Sequence, residues 1–201
     1  LRENGILCAP SYLLYKDTII NEIEILKKVG LPCFVKPNKN GSSFGVSKVT
    51  VKEKLQEAID NAFTYDNEIL IESFMKGIEV TCGIHNFGNK LTNFPPTEII
   101  SENDFFDFEA KYEGKSQEIT PARISGELTQ KVADRTKRIY HLLNLDGIAR
   151  IDFIIQKNEP YIIEANTVPG FSEESIIPQQ ANFAGVSLKD LFHMAVRHAI
   201  K

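Results

Sequence analysis

The apolar positions of this chain switch repeatedly between helical and strand spacing, and the switches sketch its elements. Ile19, Ile20, Ile23, Leu26 and Val29 recur at helical intervals, with Asp17 or Thr18 as cap and Gly30 and Pro32 as terminators. Residues 33–36 read as a short strand, 37–45 as a polar loop, and 46–51 as a second strand. Residues 52–63 read as a helix with Leu55, Ile59 and Phe63 inward. Two apolar strands are expected over 68–73 and 79–86, followed by a tight turn at Gly88-Asn89. The stretch 101–123 has no sustained period and is too long for a plain connector, so it reads as a functional loop. Ser125 then opens a long helix with Val132, Ile139, Leu142 and Leu143 inward. Strands over 147–155 and 160–164 form a hairpin about 156–159, and two short helices over 175–183 and 187–200 close the chain. Helices alternating with strand pairs argue for an α+β or mixed α/β fold.

Composition narrows the class without deciding the function. The 201 residues, 42% hydrophobic and 25% charged, suit a soluble globular protein of one domain or two small lobes. A net charge of −4 offers no electrostatic footprint for nucleic acid. No apolar run approaches a membrane span, and no signal peptide is visible. The three cysteines are dispersed, with Cys33 and Cys82 in apolar strands, which reads as buried free thiols in a reducing cytoplasm. The four histidines form no cluster with ligand spacing. The chain opens at Leu1 in what reads as a helix end closed by Gly5, with no initiator Met, so a piece of a longer protein is expected.

Three segments carry chemistry. In the hairpin, Arg150 and Asp152 share one strand face, and strict alternation puts Ile162, Glu164 and Asn166 on one face of the return strand. Two carboxylates and an amide oxygen within an otherwise apolar sheet are costly without a cation, and hard oxygens suit Mg²⁺ shared with phosphates that Arg150 can reach. The alternative is a solvated hairpin face with an Asp–Arg pair. The following Thr167-Val168-Pro169-Gly170 could turn backbone N–H groups toward an anion. The loop from Lys36 through Ser42, Ser43 and Gly45 has the small and hydroxyl residues that let backbone approach phosphate, although it lacks the P-loop order, and a flexible polar loop remains open. Finally, Glu72, Ser73, Phe74 and Met75 follow an apolar strand and could wall an adenine slot through backbone hydrogen bonds, with Glu79 accepting from a ribose. Taken singly, both glutamates are ordinary surface residues.

Taken in order, Phe-Val-Lys36-Pro, Leu-Ile-Glu72-Ser-Phe-Met, Arg150-Ile-Asp152 and Glu164-Ala-Asn166 resemble the ATP-grasp superfamily, and within it the D-alanine–D-alanine ligase family. The loop with Ser42 and Ser43 looks like that family's serine loop, Phe106-Asp-Phe-Glu-Ala-Lys111-Tyr112 like its ω-loop, and Glu164 to Gly170 like its metal and oxyanion segment. The resemblance implies an α+β ATP-grasp fold of two α/β lobes with mixed or antiparallel sheets. A small lobe would cover 1–75 and a C-terminal lobe 76–201 with its ω-loop at 101–123, the family's N-terminal substrate domain lying outside the chain. It implies ATP and two Mg²⁺ ions (or Mn²⁺), D-alanine as substrate, a homodimer and a cytoplasmic site of action in cell-wall synthesis.

Residue by residue, the resemblance implies that Lys36 binds ATP phosphates, Glu72 to Met75 line the adenine site and Glu79 holds the ribose. Ser43 would touch the γ-phosphate, Ser42 the first D-alanine, Lys111 the nucleotide phosphates, and Tyr112 would close over the dipeptide. Arg150 and the Gly170 N–H would stabilise the tetrahedral intermediate. Asp152, Glu164 and Asn166 would ligate the metals, and Ser175 and Ile176 would meet the second substrate's carboxylate. Phe106 and Phe108 depart from tyrosines common in the family, which keeps packing and drops hydroxyl bonds. Two other outcomes stay open: an ATP-grasp ligase with another amino or hydroxy acid as acceptor, and a nucleotide-binding fragment without turnover.

Overall fold

The computed structural model describes residues 1–39, 43–101 and 116–200. They divide into two compact units: Ala9–Met75, and a larger one built from Leu1–Cys8, Lys76–Ser101 and the residues from Ser116 onward.

In the smaller unit, β1 (Ser11–Tyr15), β2 (Cys33–Pro37), β3 (Ser47–Val49) and β4 (Glu68–Ser73) form an antiparallel sheet in the order β1-β4-β2-β3. Alternation along β4 buries Ile69 and Ile71 completely and leaves Glu68, Leu70 and Glu72 on the opposite face. The buried face meets α1 (Glu22–Val29) and α2 (Leu55–Phe63) through Ile25, Val29, Leu55, Ala58, Ile59 and Ala62. Each fully buried aliphatic there contributes about 1.5–3 kcal/mol.

Two local expectations fail in this unit. The first helix starts three to four residues late because Asn21, rather than Asp17 or Thr18, caps it by accepting from the Glu24 N–H at 3.2 Å. Asp17 instead sits at φ 74° in a turn, so Ile19 precedes the helix and Ile23 faces solvent. The buried helical residues are Ile25 and the expected Val29, with Ile20 and Leu26 packed against the same core. Ahead of α1, where the apolar pattern assigns no element, the chain forms β1, whose Leu14 enters the core. The later helix begins as a single 3₁₀ turn over Lys52–Lys54 before becoming α-helical at Leu55.

The larger unit has a second antiparallel sheet, β10-β9-β5-β7-β8, made of β5 (Ile78–His85), β7 (Thr97–Ser101), β8 (Ser116–Ile119), β9 (Ile148–Gln156) and β10 (Glu159–Asn166), while the short β6 (Thr92–Asn93) also pairs with β5. One face packs on α3 (Gly126–Leu142), whose Val132 and Ile139 meet Val80, Cys82, Ile151, Phe153 and Ile155. Ser125 caps α3 through its hydroxyl, which accepts from the Leu128 N–H. Both α4 (Ile176–Phe183) and α5 (Leu188–Ala199) contribute to a separate cluster around Phe87, Phe94, Ile177 and Leu191. The segment Leu1–Cys8 falls in this unit because Ile6 is buried against the α3 layer and the Ile162 N–H donates to the Leu7 carbonyl. Cys33 and Cys82 are fully buried free thiols, and burial pushes the Cys82 thiol up to about 11. Among the described residues, no helix is long and apolar enough to cross a membrane.

Candidate functional site

The open face of the larger sheet collects the hairpin residues. Lys157 and Asn158 both adopt positive φ, which closes a two-residue turn and pairs Gln156 with Glu159. Strict counting from that turn sets Ile163, not Glu164, against Asp152. A β-bulge between Ile162 and Glu164 corrects this: Ile162 stands opposite Phe153, and Glu164 opposite Asp152. Strict alternation therefore misassigned Ile162, which packs with Ala165 on the α3 side while Glu164 and Asn166 face the open side. The extra residue delivers the second acid to the first.

Asp152, only 8% exposed, is held on both oxygens. Arg150 donates from Nε to Oδ1 at 2.9 Å and from Nη2 to Oδ2 at 3.0 Å. The Asn166 amide donates to Oδ2 at 2.9 Å and also toward Glu164 Oε1 at 3.4 Å. The Thr81 hydroxyl on β5 donates to Oδ1. Glu118 on β8 accepts from Gln179 Nε2 at 3.0 Å, and burial raises its pKa against the opposing Gln179 bond and Arg150 charge. For Arg150, burial pulls the pKa down, but Asp152, then Glu164 and Glu118, outweigh it and hold the guanidinium above its ordinary value. One cation thus serves three carboxylates.

The donor set fits a divalent cation. Two carboxylates converge on the Asn166 amide nitrogen, the place a cation would take, and a half-turn of that amide offers Oδ1 as a third hard oxygen. Among the described residues, no group of three or more His, Cys, Asp or Glu side chains is placed to hold a metal, so Asp152 and Glu164 would need the amide oxygen beside them.

Past Asn166, Gly170 lies close to the start of α4: a Cβ there would stand 2.7 Å from the Ser175 hydroxyl. Ser175 is the N-cap of α4, its hydroxyl pairs with Ser172 at 2.7 Å, and Ile176 is the first helical residue. The first-turn N–H groups and the helix dipole make that end suitable for a carboxylate. Glu79, partly exposed, projects from β5 on the same face as Thr81 and opposite Ile154.

In the smaller unit, Lys36 and Glu72 meet on the open face at 2.5 Å. Phe34 and Phe74 pack there with centroids 6.0 Å apart, and Lys48 Nζ lies 4.6 Å over the Phe74 ring. The edge expected to supply adenine hydrogen bonds is partly used: the Ser73 N–H donates to the Pro10 carbonyl, the Phe74 N–H to Pro32, and the Ser73 hydroxyl to Val29. Met75 ends this unit. Ser43 takes φ 58° and Gly45 φ 74° in the turn over residues 43–45 that ends the serine loop. Ser42, Lys111 and Tyr112 lie outside the described residues, as do Phe106 and Phe108. Sequence reasoning missed Thr81, Glu118, Gln179, Gln180, Phe34 and Lys48. Only Phe34, two positions before Lys36, could have been found by strand parity.

The family model described as D-ala D-ala ligase C-terminus matches residues 1–197. The chain is 59% identical over 196 residues to the D-alanine–D-alanine ligase of Flavobacterium johnsoniae, covering 98% of this chain and 61% of that protein. It is 53% identical over 200 residues to that of Christiangramia forsetii, covering 100% and 61%. The chain therefore spans about three fifths of the curated relatives it matches. Among solved structures, D-alanine–D-alanine ligase from Bacillus anthracis complexed with ATP aligns with TM-score 0.85 at 29% identity, over 100% of this chain and 62% of that one. The VanG D-Ala:D-Ser ligase from Enterococcus faecalis aligns with TM-score 0.83 at 31% identity, over 97% and 57%. With its α+β architecture, its antiparallel sheets and a family match over nearly its whole length, the chain belongs to the D-alanine–D-alanine ligase C-terminal family, of ATP-grasp fold.

Proposed function

We propose that the protein carrying this chain is an ATP-dependent ligase that joins two D-alanines through a D-alanyl phosphate, supplying a peptidoglycan precursor. The observation that carries the reading is the convergence of Arg150, Asp152, Glu164 and Asn166 on one sheet face of a chain of this family. The names of its relatives and the ATP complex of a solved neighbour support the substrate assignment.

In this reading Asp152, Glu164 and Asn166 hold two Mg²⁺ ions (or Mn²⁺), which when bound neutralise the nucleotide phosphates and the phosphoryl group in transfer. Lys36 binds the phosphates, its ammonium kept in place by Glu72. Glu72, Ser73, Phe74 and Met75 wall the adenine, and Glu79 accepts from the ribose. The serine-loop residues Ser43 and Ser42 meet the γ-phosphate and the first D-alanine. On the ω-loop, Lys111 meets the phosphates and Tyr112 closes over the substrates, excluding water that would hydrolyse the acyl phosphate. Once the amine of the second D-alanine attacks, the carbonyl oxygen gains negative charge. Arg150 and the Gly170 N–H donate to that oxygen, and phosphate leaves. The α4 N-terminus at Ser175 and Ile176 takes the acceptor carboxylate. A cytoplasmic homodimer is the working form.

The test is phosphate release by the full-length protein with ATP, Mg²⁺ and D-alanine. Glu164→Gln should fold normally and lose most turnover, because one metal ligand goes while the hairpin packing stays. Phosphate release without dependence on D-alanine refutes the reading. A second acceptor is favoured by one observation: the D-Ala:D-Ser ligase aligns about as well as the D-Ala–D-Ala enzyme. Running the same assay with D-serine and D-lactate as acceptors separates the two.

A further inference from the structure

Gln180 is a glutamine with no exposed surface, and its place in the sheet explains why. Pairing of β5 with β7 stops at Thr81 opposite Thr97, and pairing with β6 resumes only at Ile84 opposite Asn93. The residues between, Phe94-Pro95-Pro96, include two prolines that have no N–H to give a ladder. The Phe94 N–H reaches the Gly83 carbonyl at 2.8 Å, and the rest of the break is filled from α4. Gln180 Oε1 accepts from the Gly83 N–H at 2.9 Å, while Nε2 donates to the Thr81 carbonyl at 2.9 Å and to the Thr97 hydroxyl at 3.0 Å. One side-chain amide thus supplies the donor and acceptor of a missing strand. The approach requires glycine at 83, where a Cβ would lie 2.6 Å from Gln180 Oε1 and 2.6 Å from Ile177 Cδ1.

The two backbone positions that Gln180 grips are not arbitrary. On the other edge of β5, Thr81 stands opposite Asp152 and Gly83 opposite Arg150. Thr81 adds its hydroxyl bond to the Asp152 carboxylate. We propose that Gln180 and Thr81 are positioning residues that brace β5 across the proline break and so fix where Asp152 and Arg150 stand. Neither touches substrate; Gln180 acts through the β5 backbone, and Thr81 through the orientation of the carboxylate. The inference rests on the metal and oxyanion roles proposed above for Asp152 and Arg150. A group one hydrogen bond removed from a ligand, as Thr81 is from Asp152, typically changes metal affinity or activity by about 10–100-fold when lost.

The experiment compares Thr81→Val, Thr81→Ser and Gln180→Met in the full-length protein, with Glu164→Gln as reference. Mn²⁺ binding in the presence of a non-hydrolysable ATP analogue is followed by electron paramagnetic resonance, alongside steady-state kinetics and thermal melts. Thr81→Val keeps the shape of the side chain and removes the hydroxyl. It is expected to weaken Mn²⁺ binding about tenfold and lower kcat about tenfold, with the KM for ATP within about twofold. Thr81→Ser restores both, and Gln180→Met follows Thr81→Val. A folded Thr81→Val protein with unchanged Mn²⁺ affinity and kcat overturns the proposal, and so does equal impairment of the Val and Ser variants. Should Gln180→Met not fold, the Thr81 pair still decides the outcome. If Glu164→Gln binds Mn²⁺ as tightly as the wild type, the metal reading itself has failed, and the brace falls with it as a support for a metal ligand.

Discussion

Arg150→Met removes the cation that three carboxylates share, and its cost can be worked from the geometry. Two charge-assisted hydrogen bonds to Asp152 are lost, at 2.9 and 3.0 Å, between side chains that are 16% and 11% exposed. Breaking one side of a buried pair costs about 3–5 kcal/mol. Asp152 keeps the Thr81 and Asn166 donors, and Met retains the apolar bulk of the arginine stem, so a loss of about 2–4 kcal/mol is expected. For a chain of this length each kcal/mol moves Tm by about 2–4 °C, so the melting point should fall by about 4–16 °C. Arg150→Lys keeps the charge without the planar fork and should lose roughly half as much. Calorimetry at neutral pH without divalent ions measures the loss. Repeating it with millimolar Mg²⁺ should return part of the lost stability to Arg150→Met, and more than the wild type gains, because a second cation then meets the exposed repulsion. A loss below about 1 kcal/mol, or equal losses for Met and Lys, would show that this cation does not hold the acid cluster together.

Three further outcomes rest on other parts of the larger unit. His85 is 5% exposed, stacks on Phe87 with centroids 4.9 Å apart, and accepts from the Phe87 N–H through Nδ1 at 3.2 Å; burial holds its pKa below 6.5. The unfolded chain therefore takes up this proton first as the pH falls, so the stability contribution is complete above about 6.5 and declines below it until the folded pKa is reached. His85→Leu should flatten Tm against pH over that window, and an unchanged slope assigns the effect to other groups. Gly83→Ala should cost about 1–3 kcal/mol in denaturant unfolding, because the new methyl meets Gln180 and Ile177 at 2.6 Å. Gly126→Ala, in the first turn of α3 with nothing within 4 Å, should instead stabilise by about 0.4–1 kcal/mol.

The parts of this fold legible in the sequence are those governed by short-range periodicity. The face carrying Asp152 and Arg150, the turn at Lys157-Asn158 and the Ser125 cap all follow from side-chain spacing or local chemistry. So does the burial of Cys33 and Cys82. The start of α1 was misplaced for a local reason too, since Asp17, Thr18 and Asn21 are all credible caps and only the packing of Ile25 and Val29 chooses among them.

What the sequence hides is long-range compensation. Ile162 and Glu164 share parity, yet one belongs in an apolar layer and the other beside an acid; both demands are met only by inserting Ile163 as a bulge. Gln180 looks like a surface residue of a short helix until Pro95 and Pro96 are seen to leave a strand edge open 83 positions upstream of it, at Thr97. The acid cluster shows the same logic in electrostatic form. Glu118, Asp152 and Glu164 come from three strands, and their tolerance depends on one arginine that no local pattern pairs with all of them. Motif residues name the chemistry, but the bulge, the proline break and its glutamine brace set the register at which that chemistry can occur, and a substitution at any of these three should be felt at Asp152 before it is felt anywhere else in the sheet.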